Sequence, residues 1–164
     1  MKLKIMKRII FITTCLTIFL FTACDQDDNM ELSSSDYIIF GHFYGECMGE
    51  QCVEIFRLEQ DKLFEDTKDE YPKSNIFYSG NFVPLSQQKF NNTKNLKDYF
   101  PTDLLNETKT VIGQPDAGDW GGLYVEYNSN GVRKFWLLDQ KKSNVPTTYH
   151  DFIDKINEKI EQLN

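Results

Sequence analysis

Residues 9–23 form one uncharged apolar run, IIFITTCLTIFLFTA, and no run like it recurs in the chain. Residues 24–36 are polar and acidic, contain no aromatic residue and carry Ser33, Ser34 and Ser35 in a row, the composition of a flexible tether. From Tyr37 onward the apolar positions return in groups of strand length. Residues 37–44 (YIIFGHFY) are apolar or aromatic at both alternating sets of positions, which predicts a strand covered on both faces, with Gly41 thinning one of them. Residues 53–58 (VEIFRL) and 62–66 (KLFED) flank Glu59-Gln60-Asp61 at hairpin spacing. A fourth strand is expected within residues 76–83.

The period then changes. Ser86 is placed to cap a helix, with Leu85 before it and Phe90 four residues after it, the spacing of a hydrophobic staple. The helix is expected over residues 87–99 and is stopped by Pro101. Residues 102–106 add one more turn, and the glycines and Pro115 within residues 113–122 require a loop. Two β-rich runs, residues 123–127 and 132–138, surround Asn128-Ser129-Asn130-Gly131, with Gly131 suited to positive φ. A three-residue loop pairs Val125 with Phe135 and Leu123 with Leu137 on a core face, and puts Glu126 with Lys134 and Tyr124 with Trp136 on the other. Tyr149, Phe152, Ile153, Ile156, Ile160 and Leu163 make a single helical stripe at the C-terminus. The order β-β-β-β-α-β-β-α with local hairpins predicts an α+β fold, a largely antiparallel sheet with helices packed on one face.

Lys2, Lys4, Lys7 and Arg8 precede the apolar run with no acid among them, the layout of a secretory signal. At 15 residues the run falls short of the roughly 20 that a helix needs to cross ~30 Å of hydrocarbon, so a retained transmembrane anchor is the weaker reading. Its end, Phe21-Thr22-Ala23-Cys24, resembles the lipobox of bacterial lipoproteins, in which small residues precede a cysteine that takes diacylglycerol before the signal is removed. Phe21 stands where an aliphatic residue is usual. The resemblance implies a signal peptide over 1–23, palmitate-type acyl chains on Cys24, and a mature protein held on the outer membrane at its periplasmic face or the cell surface. Each buried methylene contributes ~0.8 kcal/mol, so two or three chains on one cysteine anchor stably. Asp25-Gln26-Asp27-Asp28 is similar to acidic export tags that direct some Gram-negative lipoproteins to the cell surface, and reads equally as a solvated spacer. The organisation is then a signal over 1–23, a tether over 24–36 and one globular domain over 37–164.

Charge narrows the partners. The whole chain has 18 basic and 25 acidic residues, and all four basic residues of the signal leave with it, so the mature chain keeps 14 basic against 25 acidic. Such a surface repels phosphate backbones and anionic headgroups. No nucleic acid is expected as a partner.

Cys47 and Cys52 flank Met48-Gly49-Glu50-Gln51 between the first two strands. In an oxidising compartment the default for such a pair is a disulfide closing a small loop. The alternative is a metal site from His42, Cys47, Cys52 and His150, which are zinc-type ligands at no recognised spacing; otherwise His42 is a partly buried, hydrogen-bonded strand residue and His150 faces solvent. The Met-Gly between the cysteines resembles uncharacterised exported domains in which a Cys-Gly-Cys loop precedes a β-hairpin, a resemblance that implies no function. Gly-x-Ser-x-Gly, phosphate loops and dinucleotide fingerprints do not occur. The expected interaction surface is Asp116-Ala117-Gly118-Asp119-Trp120-Gly121-Gly122, with Tyr124 and Trp136 beside it, since the glycines allow close approach and Trp120 offers an apolar anchor; alternatively Trp120 folds back onto the core. The leading function is a non-catalytic binding module of the cell envelope that takes a protein or ligand, without catalytic, cofactor or metal residues. The alternatives are an envelope hydrolase in which Asp116, Asp119 and Glu126 converge, or a thiol or metal protein using Cys47 and Cys52.

Overall fold

The computed structural model describes residues 36–164. The expected export signal, Cys24 and the expected tether up to residue 35 lie outside the described residues. Seven strands form one sheet in the order β4-β3-β2-β1-β6-β7-β5. They are β1 (Tyr37–Phe43), β2 (Val53–Leu58), β3 (Leu63–Asp66), β4 (Phe82–Pro84), β5 (Val111–Ile112), β6 (Gly122–Ser129) and β7 (Val132–Asp139). Every pairing is antiparallel except β5 with β7, which is parallel. Helices α1 (Gln87–Thr93) and α2 (His150–Leu163) complete an α+β fold. The alternating pattern predicts one strand fewer, because the two residues of β5 are too short to show a period.

β1 lies in the middle of the sheet because both its faces are apolar. Ile38 and Phe40 join the cluster under the helices, while Ile39 and Phe43 join a second cluster on the opposite face. A Cβ at Gly41 would run into the backbone of Glu54 on β2, so this position keeps β1 and β2 in contact. Ser86 caps α1 as its spacing predicts, its Oγ accepting from the Lys89 amide at 3.3 Å. α1 ends after Thr93, earlier than residue 99, and the chain continues as 3-10 turns over Lys94–Tyr99 and Thr102–Asn106. Asn91, Asn92 and Thr93 are weak helix formers, and the Thr93 hydroxyl donates back to the Lys89 carbonyl at 2.9 Å. α2 lays its stripe on the same face of the sheet, burying Phe152, Ile153, Ile156, Ile160 and Leu163.

The β6–β7 register differs by one residue from the expected one. Asn130 and Gly131 have φ of 51° and 79°, a two-residue primed turn that matches the twist of the strands, so Ser129 pairs with Val132 and Val125 with Trp136. A slip of one residue sends side chains to the opposite face. Trp136 therefore points under the helices, where it is 1% exposed and packs on Phe100 at 6.3 Å. Tyr124 faces the other way, fully buried between Phe135 and Tyr78. The expectation that Tyr124 and Trp136 contribute to an exposed surface is thus corrected. Gly121 and Gly122 are buried as well, because the Phe43 ring fills the space beside Gly122 and the Tyr44 ring the space beside Gly121.

Both sheet faces are covered. On the face away from the helices, residues 67–81 fold over β1, β6 and β7, pinned by a chain of buried hydrogen bonds. Tyr37 Oη and Arg133 Nε donate to Oε1 of the fully buried Glu126, at 3.0 and 2.7 Å, and Tyr124 Oη donates to Oε2 at 2.5 Å. The Tyr78 amide donates to Tyr124 Oη at 2.9 Å, and Tyr78 Oη donates to Asp66 at 2.5 Å. Asp66 also accepts from the amides of Asn81 and Asp69. Burial, with the adjoining carboxylates, pushes both phenols well above their ordinary range, so they stay protonated and act as donors.

Candidate functional site

The strongest candidate is the end of the sheet where β1 exits and β6 begins. Cys47 and Cys52 form a disulfide, with Cα atoms 5.6 Å apart. It closes the loop between β1 and β2, whose neck is also tied by the Tyr44 amide donating to the Cys52 carbonyl at 2.9 Å. Both sulfurs are used in that bond, so they are not available as zinc ligands. His42 Nε2 instead bonds the Gln51 carbonyl at 3.1 Å, and burial holds this imidazole below its ordinary pKa. His150 is half-buried, its Nε2 2.9 Å from the Lys142 carbonyl and 3.0 Å from that of Val145. Among the described residues no group of three or more His, Cys, Asp or Glu is arranged to hold a metal ion.

The disulfide loop is joined to residues 113–121 through Asp116. Its Oδ2 accepts from the Gly45 amide and from Tyr71 Oη, both at 2.8 Å, and its Oδ1 accepts from the Gly121 amide at 3.2 Å. The Asp116 amide in turn donates to the Gly121 carbonyl at 2.9 Å. One carboxylate thus ties three chain segments together. Burial and the hydrogen bond to Asp116 push the Tyr71 phenol up to about 12, and its ring rests edge-on against Phe43 at 4.9 Å.

This bracing holds an unfavourable backbone. Gly113, Asp116, Gly118, Asp119 and Gly121 all have φ between 61° and 81°. The two aspartates adopt the left-handed region at about 1–2 kcal/mol each, and such strain persists only where surrounding contacts over-determine it. Gly121 has no alternative, since a Cβ there would meet the Tyr44 ring as well as the unfavourable φ.

The outcome is a set of exposed apolar side chains on loops tied together at this end of the sheet. Trp120 is 60% exposed and does not fold back onto the core; Lys141 Nζ lies 5.5 Å from its ring centroid. Met48 at the tip of the disulfide loop is fully exposed, and Tyr71 is 46% exposed. Of the expected surface residues, Trp120 is therefore at the surface and Gly121 shapes the loop beneath it, while Gly122, Tyr124 and Trp136 belong to the interior. The contributions of Met48 and Tyr71 were not legible in the pattern, because each lies on a separate segment brought in by Asp116.

The acids are not gathered into a cleft. Glu126 stands opposite Ile39 and is bound by Arg133 and two tyrosines, whereas Asp116 bonds Gly45, beyond the Gly122–Phe43 end of the ladder. Four residues of strand, about 13 Å, separate that ladder end from Glu126. The arrangement presents carboxylates already occupied by protein donors, with exposed apolar rings beside them, which suits recognition of a surface. No protein-family model matches the chain, and no curated protein or solved structure matches it either.

Proposed function

We propose that this protein is a membrane-anchored, non-catalytic binding module of the cell envelope whose recognition surface is the loop end carrying Trp120, Met48 and Tyr71. The single observation behind this reading is Trp120, a large aromatic ring left 60% exposed on a loop whose strained backbone is held by Asp116. Rigid aromatic anchors supply contact area at low entropic cost. The lipid anchor on Cys24 is the other half of the reading and rests on the export-signal pattern. Its geometry is consistent with that role: Asp36, where the tether would enter, accepts from Ser129 Oγ at 2.7 Å, at the opposite end of β6 from the loop surface. Eight residues of β6 span roughly 25 Å, so the tether would join the domain at the end away from Trp120 and leave that surface accessible.

The test uses the full chain in native membranes. A photo-crosslinking residue at Trp120 or Met48 is expected to give one discrete adduct that is lost on Asp116→Ala, while the same residue at exposed Lys62, beside the tether-entry end, gives none. Equal adducts at all three positions would refute the surface. For the anchor, Cys24→Ala is expected to move the protein from the membrane to the soluble fraction; unchanged partitioning would refute that half independently.

A further inference from the structure

The outer edge of β7 is only half covered. β5 pairs with Leu137 and Leu138 alone, and the Leu137 amide donates to the Thr110 carbonyl at 2.7 Å. Outward-facing backbone groups alternate along a strand, so the N–H and C=O of Phe135 and Arg133 face the same way as those of Leu137. Among the described residues no strand pairs with them there. The preceding chain stands off instead, held by Lys134 Nζ donating to the Leu105 carbonyl at 2.6 Å, and leaves a cleft of about 650 Å³ beside β7.

The cleft has an apolar floor and a cationic rim. Phe77 supplies the exposed part of that floor and Phe135 lies beneath it, with Phe77 packed edge-on against Phe135 at 5.1 Å and the Arg133 guanidinium 4.1 Å above the Phe77 ring. Lys109, Arg133 and Lys134 line it with one acid, Glu107, and Arg133 is also paired with Glu126 below. Elsewhere the balance is reversed, since residues 36–164 carry 14 basic and 21 acidic side chains. Arg133 uses Nε on Glu126, which leaves its terminal nitrogens for another carboxylate.

We propose that this edge is a second binding site, separate from the Trp120 surface, which takes an extended acidic peptide as an added strand beside β7. Main-chain bonds to Phe135 and Arg133 would supply the pairing, and the rim cations would select acidic side chains. The rim argues against a second copy of this chain, because antiparallel pairing of the two open β7 edges brings one Arg133-Lys134 segment alongside the other, and like charges placed opposite each other repel. The acidic remainder of the surface repels an acidic peptide, so binding is confined to this edge.

The test is fluorescence anisotropy of an eight-residue peptide alternating Glu and Val, titrated with the full chain in detergent. A single N-methyl group is moved along the peptide. Methylation is expected to weaken binding about tenfold at alternate positions, as loss of one main-chain hydrogen bond predicts, and to leave the positions between them unchanged. Lys109→Glu, at an exposed site, is expected to weaken binding severalfold, and added salt to weaken it further. Absence of binding, a methyl scan without a two-residue period, or equal binding of the Lys-Val peptide would overturn the proposal. The Lys-Val peptide is the same eight residues with Lys in place of Glu. Binding seen only after Asp25, Asp27 and Asp28 are changed to Asn would assign the edge to this chain's own acidic segment, and would likewise overturn it.

Discussion

Glu54 shows how much a single buried side chain can carry. It is 8% exposed on β2, and burial, then the carboxylates of Glu65, Asp69 and Glu50, raise its pKa to about 7. The folded state therefore holds this proton more tightly than the unfolded chain, and its contribution falls as pH rises from about 4.5 to 7. Glu54→Gln is expected to stabilise the protein at pH 8 by about 2 kcal/mol and to flatten that slope, measured by denaturant unfolding at a series of pH values. Replacing Glu126 has the opposite effect on stability. Glu126→Ala strands the buried hydroxyl of Tyr124 and is expected to cost about 2–3 kcal/mol in the same assay, with Glu126→Gln costing less. Neither effect was legible in the sequence, where Glu54 is one acid of an alternating strand and Glu126 is set opposite Lys134 or counted with Asp116 and Asp119 as a candidate acidic site. Their surroundings come from segments far apart in the chain, such as Tyr37, Tyr124 and Arg133 around Glu126.

Among the elements, the turns decided most. Asn130-Gly131 announces a hairpin, yet the strand pattern on either side tolerates both a two- and a three-residue loop, because residues 123–127 and 135–138 are apolar at nearly every position. Only the two-residue turn with both φ positive sends Trp136 under the helices and Tyr124 to the other face. Gly131→Val, which opposes the φ of 79°, is expected to destabilise by about 1–2 kcal/mol, read as a lowered Tm. The disulfide is a local element too. Reducing Cys47–Cys52 releases a loop with four residues between the cysteines and is expected to cost about 2 kcal/mol, with hydrogen exchange rising in residues 45–52 and in residues 113–121, which share the Asp116 tie. Exchange confined to the first segment would show that Asp116 does not couple the loops.

At the scale of the whole molecule, the sheet carries two kinds of surface at different places. One end gathers Trp120, Met48 and Tyr71, the last set by its hydrogen bond to Asp116, and the β7 edge leaves main-chain groups open beside a cationic rim. No helix among the described residues is long and apolar enough to cross a membrane. The α+β class, β1 to β3, the cap of α1, the stripe of α2 and the pairing of Cys47 with Cys52 follow from the sequence alone, because each depends on the period or spacing of near neighbours. The hairpin register, the burial of Tyr124 and Trp136, the two-residue β5, the tyrosine–carboxylate chain and the grouping of Met48 and Tyr71 with Trp120 depend on the tertiary structure. These are settled by contacts between residues tens of positions apart, such as Asp116 with Gly45 and Glu126 with Tyr37, and no local pattern of apolar and polar positions encodes which distant segment closes on which.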